Sequence, residues 1–372
     1  GREFDVDNPT YSVDECKERD ANYAAKLYVH VRLHTKANDR IKDQSVYIGE
    51  FPIMTDTGTF IINGAERVII SQLVRSPGAY FGEEKDKNDA TLYTGQIIPN
   101  RGAWLEFESD ANGLLWVRID RTRKFHLTIF LRSLGFGTDA EIQEIFGDEE
   151  SLMRTMQKDG CSNEMEGLQE MFKKLRSGEV YTREGAESFL QNMFFDANRY
   201  DLAKVGVYKI NKKLSLADRV IGHRAATDVI DEDGEILVLK DDIITKDMAW
   251  QIQNAGVNHL DIYPIQIVGD NLVQYEHQLR VVGNGRVEAP EYLQRYFSAK
   301  ELAEIDFRKL GVTELVYTSV LRAIAKEAKE TDEPLDALQK SIKERIRELI
   351  PHHLTVDDIL ASASYFIGLE YG

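Results

Sequence analysis

The chain has 372 residues, enough for two or three domains that each bury a core. Its net charge of −17, with 42% hydrophobic and 29% charged residues, is that of a globular protein and argues against a free-standing nucleic-acid binder with a basic surface. No apolar run approaches the roughly 20 residues of a membrane helix, no signal-peptide pattern opens the chain, and the two cysteines, Cys16 and Cys161, supply neither a disulfide framework nor a C-x-x-C pair.

Residues 1–20 hold seven acids against three basic residues and read as an extended lead-in. Leu27, Val29, Val31 and Leu33 then alternate with Tyr28, His30, Arg32 and His34, the period of a half-buried strand. A turn at 36–40 returns the chain as a second strand over 41–51. Two β-branched runs follow, 59–63 and 67–73, joined by Asn63-Gly64, a dipeptide that accepts the positive φ of a tight hairpin turn. Arg75-Ser76-Pro77-Gly78 ends the second run, because Pro cannot donate to a ladder. The expectation is a buried hairpin with an Arg-bearing exit.

Residues 83–90 are polar and loop-like, and 92–99 read as a strand. Two arms, 104–108 and 114–120, flank Asp110-Ala111-Asn112-Gly113, a hairpin turn. The second arm runs into Arg118-Ile119-Asp120-Arg121-Thr122-Arg123-Lys124, four bases and one acid in an acidic chain. From about 138 the period becomes 3.6. Thr138 with Glu141 makes a capping box. Leu168, Met171, Phe172 and Leu175 form a helical stripe, and Thr182 caps a helix facing inward through Ala186, Phe189, Leu190 and Met193. A hairpin around Asp233-Gly234, a helix over 246–255 closed by Gly256, and a strand over 260–264 follow. Residues 302–310, 314–330 and 334–349 read as amphipathic helices, and Thr355 with Asp358 caps the last one. His352-His353 has no further Cys or His placed to complete a metal site.

Residues 52–78 carry Pro-x-Met-Thr-Asp-x-Gly-Thr-Phe-x-x-Asn-Gly-x-Glu-Arg-Val-x-x-Ser-Gln-Leu-x-Arg-Ser-Pro-Gly without a break. This pattern resembles the N-terminal part of the bacterial RNA polymerase β subunits. Val-Arg-Ile-Asp-Arg-x-Arg-Lys at 117–124 and Arg-Tyr-Asp-Leu at 199–202, followed by Lys-x-Asn-x-x-Leu at 209–214, agree with the same family. The resemblance covers roughly 1–265 and 354–372. It implies a multidomain α+β fold of antiparallel hairpins and packed helices: the N-terminal half of the protrusion over 1–66, and the lobe over 67–372. A lineage-specific, mostly helical insertion would occupy about 266–353. Gly1 in place of an initiating Met fits a piece of a longer chain.

Four features carry functional expectations. Arg75 leaves the hairpin in a turn that presents its guanidinium, suited to guanine edges and phosphate or to a structural ion pair. The resemblance implies that it reads a non-template guanine. Trp104, opening a hairpin arm, is either a core anchor or a stacking platform; the resemblance implies stacking on an unpaired non-template base. Arg118, Arg121, Arg123 and Lys124 suit phosphate contact or an ion-paired surface. Ile41, Lys42 and Asp43 would recruit a partner by strand addition if their strand is an edge. The resemblance implies that a transcription-repair coupling factor or CarD-like regulators dock there. It also puts Ile70 and Gln72 on a strand bordering the rifamycin pocket.

No phosphate loop, dinucleotide fingerprint, zinc-protease pair or nucleophile elbow is present, so no catalytic residue is assigned. By the resemblance, the magnesium-binding aspartates sit in another subunit and this stretch needs no cofactor. The implied partners are the β′, α and ω subunits, a sigma factor, and promoter and downstream DNA, in a cytoplasmic, nucleoid-associated setting. The competing expectation is an acidic α+β adaptor that binds only protein. A self-contained enzyme is a weaker rival.

Overall fold

The computed structural model describes residues 2–4, 9–35, 40–268 and 271–371. The chain divides into two compact units, Gly1–Val74 and Arg75–Gly372; the sequence had suggested a division at 66/67.

In the first unit, β1 (Arg2–Phe4), β2 (Ala24–Thr35) and β3 (Arg40–Pro52) form a sheet in the order β1-β2-β3. The strands β2 and β3 pair antiparallel from Ala24↔Pro52 to Thr35↔Arg40, with a register shift at Leu27/Tyr28. The expected turn at 36–39 lies outside the described residues. The alternating pattern correctly marks the strand, but not its half-burial: Val31 is 41% exposed, Leu33 62% and Phe51 56%. A thin sheet buries a face only if something packs on it. The small core here is Cys16, Ala24, Ala25 and Ile61. The lead-in is not wholly extended either, since Ser12 and Glu15 form a capping box that starts α1 (Val13–Glu18).

The Asn63-Gly64 turn forms as expected, with φ of 50° and 73°, joining β4 (Phe60–Ile62) to β5 (Ala65–Arg67). The second arm is much shorter than its composition suggests. Val68 to Val74 belong to no strand, and Ile69, Ile70, Leu73 and Val74 are each about four-fifths exposed or more. β-Propensity expresses packing against neighbours, and no strand among the described residues pairs with this run.

The second unit opens with a meander of β6 (Gly78–Lys85), β7 (Thr91–Ile98), β8 (Leu105–Ser109), β9 (Leu115–Ile119) and β10 (Phe125–His126), each strand paired with the next. Residues 83–85, expected in a loop, continue β6, because an edge strand tolerates polar side chains. One face of the sheet turns Ile97, Leu105, Phe107, Leu115, Val117 and Phe125 into the core. Against it pack helices that include α2 (Leu127–Ser133), α4 (Glu150–Asp159) and α7 (Ala203–Leu214). Between these in sequence come α3 (Asp139–Phe146), α5 (Glu164–Leu175) and α6 (Arg183–Leu190). The boxes and caps at Thr138 and Thr182 form as read.

A second, smaller core lies between α8 (Leu216–Val220), α9 (Lys246–Asn254) and a sheet of β11 (Arg224–Ala225), β14 (His259–Tyr263) and β17 (Leu279–Val282). The Asp233-Gly234 hairpin is β12 (Val229–Ile230) with β13 (Ile236–Val238). The stretch over 266–353 starts in strands: β15 (Ile265–Val268) pairs with β16 (Asn271–Gln274), and β17 joins the sheet just named. Then β18 (Arg286–Val287) pairs with β19 (Val316–Tyr317). The helices α10 (Ala289–Leu293), α11 (Ala299–Ala303), α12 (Thr318–Lys329), α13 (Pro334–Glu344) and α14 (Ile346–Leu349) follow. Tyr292, Leu321, Ile324, Leu338 and Ile342 belong to the same hydrophobic core as the meander. The helix expected over 302–310 stops early, at Ala303: Asp306 turns the chain by accepting from the Lys309 amide, and Gly311 follows with φ of 96°.

Finally α15 (Val356–Gly368) is almost wholly buried and packs on β7, α7 and β17. Its capping-box residue Asp358 is fully buried and pairs with Arg286, itself 1% exposed, at 3.0 Å.

Candidate nucleic-acid interface

The polar face of the meander is set by register. The turn Asp110–Gly113 is closed by Asp110, whose Oδ1 accepts from the amides of Asn112 and Leu114. Counting from it, Ser109 faces Leu115, Glu108 faces Trp116, and Glu106 faces Arg118. Gln96 faces Glu106 and Tyr80 faces Gln96. Tyr80, Gln96, Glu106 and Arg118 therefore form one row across four strands, on the face opposite the core.

Arg75 stands at one end of this row. It is exposed, its guanidinium lies 4.1 Å above the Tyr80 ring, and it donates to Gln96 Oε1 at 3.4 Å. Gln96 in turn donates to Glu106 at 3.2 Å. Arg75 has no carboxylate partner among the described residues, so the ion-pair alternative does not hold. Tyr80 is fixed from below: its hydroxyl donates to the Ser76 carbonyl at 2.7 Å and accepts from Lys209 at 3.3 Å. Burial pushes the Tyr80 phenol up, but the hydrogen bonds to Ser76 and Lys209 outweigh it and hold the pKa below 10.0.

Trp104 stands toward the other end, just before β8. It is half-buried, not a core anchor. Its amide donates to Asp120 Oδ1 at 2.7 Å and its carbonyl accepts from the Asp120 amide at 3.1 Å. Arg121, with φ of 58°, places its guanidinium 5.8 Å from the indole ring. Gly102, with φ of 130°, lets the chain pass the Tyr200 ring: a Cβ there would lie 2.5 Å from Cδ2. Arg75 and Trp104 are thus both accessible and flank one sheet, with a hydrogen-bond chain running from Arg75 through Gln96 to Glu106.

The basic cluster splits in two. Arg118 pairs with Glu108 at 2.9 Å, and Lys124 approaches the same carboxylate at 3.9 Å while lying 4.9 Å over Trp116. Arg121 and Arg123 are exposed and have no acidic partner among the described residues. The sequence reading missed Tyr80, Gln96, Glu108 and Asp120. The signal lay in the hairpin turn, from which the cross-strand pairs follow by counting.

In the first unit β3 is an edge strand of its sheet, and Ile41 is 62% exposed. Lys42 pairs in register with Leu33. Asp43 accepts both guanidinium bonds of Arg32, at 2.7 and 2.8 Å, which hold its carboxyl below the usual range. Ile70 and Gln72 are exposed and lie on no strand, contrary to expectation. His352 contacts Asp201 at 3.5 Å. Among the described residues no group of His, Cys, Asp and Glu could hold a metal, and no helix is long and apolar enough to cross a membrane.

Residues 75–227 match the family model of RNA polymerase Rpb2, domain 2, starting at the residue where the second unit begins. That defines a domain of the large subunits of multisubunit RNA polymerases. Across its length the chain is similar to the DNA-directed RNA polymerase subunit beta of Acetivibrio thermocellus, 49% identical over 365 residues, which is 98% of this chain and 27% of that protein. The subunit beta of Clostridium acetobutylicum is 47% identical over 373 residues, 100% of this chain and 28% of that protein. That of Caldicellulosiruptor bescii is 48% identical over 370 residues, with 98% and 28% covered. The chain belongs to the bacterial RNA polymerase β-subunit family, and it spans little more than a quarter of the length of these curated relatives. The similarity does not stop at 265: matches covering 98–100% of the chain run through 266–353 as well.

Proposed function

We propose that this chain is a non-catalytic part of an RNA polymerase β subunit that walls the DNA cleft and holds the non-template strand. The observation that carries this reading is the placement of Arg75, Trp104 and Arg121 along one solvent-facing side of the β6–β10 sheet, within the stretch matching Rpb2 domain 2. In this role Trp104 stacks on an unpaired base, Arg75 meets a base edge or phosphate, and Arg121 and Arg123 hold the backbone. The β′, α and ω subunits and a sigma factor complete the assembly, and nucleotide addition with its magnesium belongs to residues outside this chain. The open β3 edge at Ile41, Lys42 and Asp43 supports a second task, docking a transcription-repair coupling factor or a CarD-like regulator by strand addition.

The test is Trp104→Ala in the whole polymerase. Stacking worth about 1–3 kcal/mol corresponds to an open-complex lifetime shortened about thirtyfold at the middle of that range. An unchanged lifetime refutes the base-stacking role. An adaptor that binds only protein predicts that outcome, together with loss of factor binding on Ile41→Pro.

A further inference from the structure

A cleft of about 650 Å³ opens in the second unit beside the β6 edge, between α7, α8, β17 and α15. Its wall carries Lys209, Lys212, Lys213 and Arg219 against a single carboxylate, Asp218. Four cations gathered on one concave surface with one carboxylate form a local positive seat suited to an anion. Lys212 and Lys213 lie three and four residues beyond Lys209, so both neighbour it on the surface of α7.

Lys209 is engaged by neutral oxygens, donating to Ser76 Oγ and to the Tyr80 hydroxyl. Among the described residues Lys212, Lys213 and Arg219 form no ion pair. Arg219 is held only by neutral acceptors: the carbonyls of Val282 at 2.5 Å and Ala361 at 3.4 Å, and Ser364 Oγ at 2.9 Å. Burial pulls its pKa down to about 10, which leaves it charged at neutral pH. Tyr365 lies beneath both cations, with Lys213 Nζ 4.7 Å and Arg219 Cζ 5.3 Å from its ring centre, and it packs on Phe81 at 4.3 Å. The fixed guanidinium thus has a rigid floor, and the mobile lysine stems lie at the rim. His223 contributes no charge, since burial lowers its pKa and its Nδ1 accepts from the Ile265 amide at 2.9 Å.

We propose that this cleft binds a small polyphosphate-bearing molecule, its phosphates seated on Arg219, Lys212 and Lys213. Its volume is that of a small-molecule pocket, which typically runs about 300–1,000 Å³. Arg supplies a fixed fork for phosphate oxygens and Lys an adjustable point charge. The cleft borders the Arg75–Trp104 face and shares Tyr80 and Lys209 with it, but Arg219, Lys212 and Lys213 lie outside that face, so the proposal does not depend on the role assigned to it.

The experiment titrates ATP and, separately, inorganic tripolyphosphate into the 372-residue chain at low ionic strength by calorimetry. Saturable one-to-one binding of at least one probe is expected. Lys213→Gln should weaken it about tenfold, the loss of one charge-assisted contact, with Lys212→Gln as the substitute if the first variant does not fold. Lys300→Gln, a charge-matched change outside the cleft, should leave it unaltered. Tighter binding of ATP than of tripolyphosphate assigns the site to nucleotides; equal binding assigns it to the phosphate chain alone. The proposal is overturned if neither probe saturates, or if Lys213→Gln and Lys300→Gln weaken binding equally. It is also overturned if an oligothymidylate displaces ATP more effectively, per phosphate, than tripolyphosphate does, which would make the cleft a nucleic-acid seat.

Discussion

Removing the carboxylate of Asp358 tests how the second unit is held together. Its Oδ2 accepts from Arg286 at 3.0 Å and from the Thr355 amide and hydroxyl at 3.1 and 2.9 Å, and its Oδ1 accepts from Asn284 at 3.2 Å. Asp358→Ala strands the Arg286 guanidinium, whose side chain is 1% exposed. Breaking a buried pair from one side costs about 3–5 kcal/mol, and the lost cap of α15 adds about 1 kcal/mol. Against a typical stability of about 5–15 kcal/mol, that is a large fraction. Equilibrium urea unfolding should therefore move its midpoint down by about 1–2 M, for a slope of roughly 3 kcal/mol per M. Fluorescence follows this unit alone, since Trp104, Trp116 and Trp250 all lie in it. The double variant Arg286→Met with Asp358→Leu removes both charges and should recover most of the loss, staying within about 1–2 kcal/mol of the parent. The reasoning fails if Asp358→Ala costs under about 1 kcal/mol, or if the double variant is no more stable than the single one.

Gly102→Ala forces a Cβ against the Tyr200 ring at a φ of 130° and should cost about 1–3 kcal/mol, read in the same urea transition. Cys161 is a slow thiol, because burial pushes it from 9.0 to about 11. Its alkylation at pH 8 should run about a hundredfold slower than that of a thiol at the ordinary value, and should keep rising about tenfold per pH unit up to pH 10. The sign for stability follows: the folded chain keeps a proton that the unfolded chain releases above pH 9, so stability falls as pH climbs from 9 toward 11. Glu108→Gln releases Arg118 and Lys124 from their shared carboxylate. Given the proposed DNA role, single-stranded oligonucleotide should then bind several-fold more tightly at low salt in a polarisation assay, and no gain would count against that role.

Features written in short-range chemistry were legible before any coordinates. Asn63-Gly64, the Asp110–Gly113 turn and the boxes at Thr138 and Thr355 form because their residues satisfy nearby backbone groups. What depends on a distant partner was not legible. The run over 68–74 has strand composition but, among the described residues, no strand to pair with, and it is exposed. Polar Glu83 and Glu84 sit in a strand because β7 supplies the ladder. At the candidate site the cations were visible in sequence but their states were not: only the fold distinguishes Arg118, tied to Glu108, from Arg123, which no acid among the described residues meets. The stretch over 266–353 looked separable because the family motifs fade there, yet Tyr292, Leu321 and Ile342 share one core with Phe107 and Phe130.

That division among the cations has a consequence for electrolyte. A single strand loses affinity with salt roughly as 0.7 of a logarithmic unit for each phosphate neutralised. If all five basic side chains on this face each met a phosphate, the slope would be about −3.5. With Arg118 and Lys124 already tied to Glu108, only Arg75, Arg121 and Arg123 remain to displace counterions, and the slope falls to about −2. In the proposed role the face would then retain more of its hold as salt rises than its basic residues alone would suggest, because an indole and three arginines, rather than a charged field, would grip the strand.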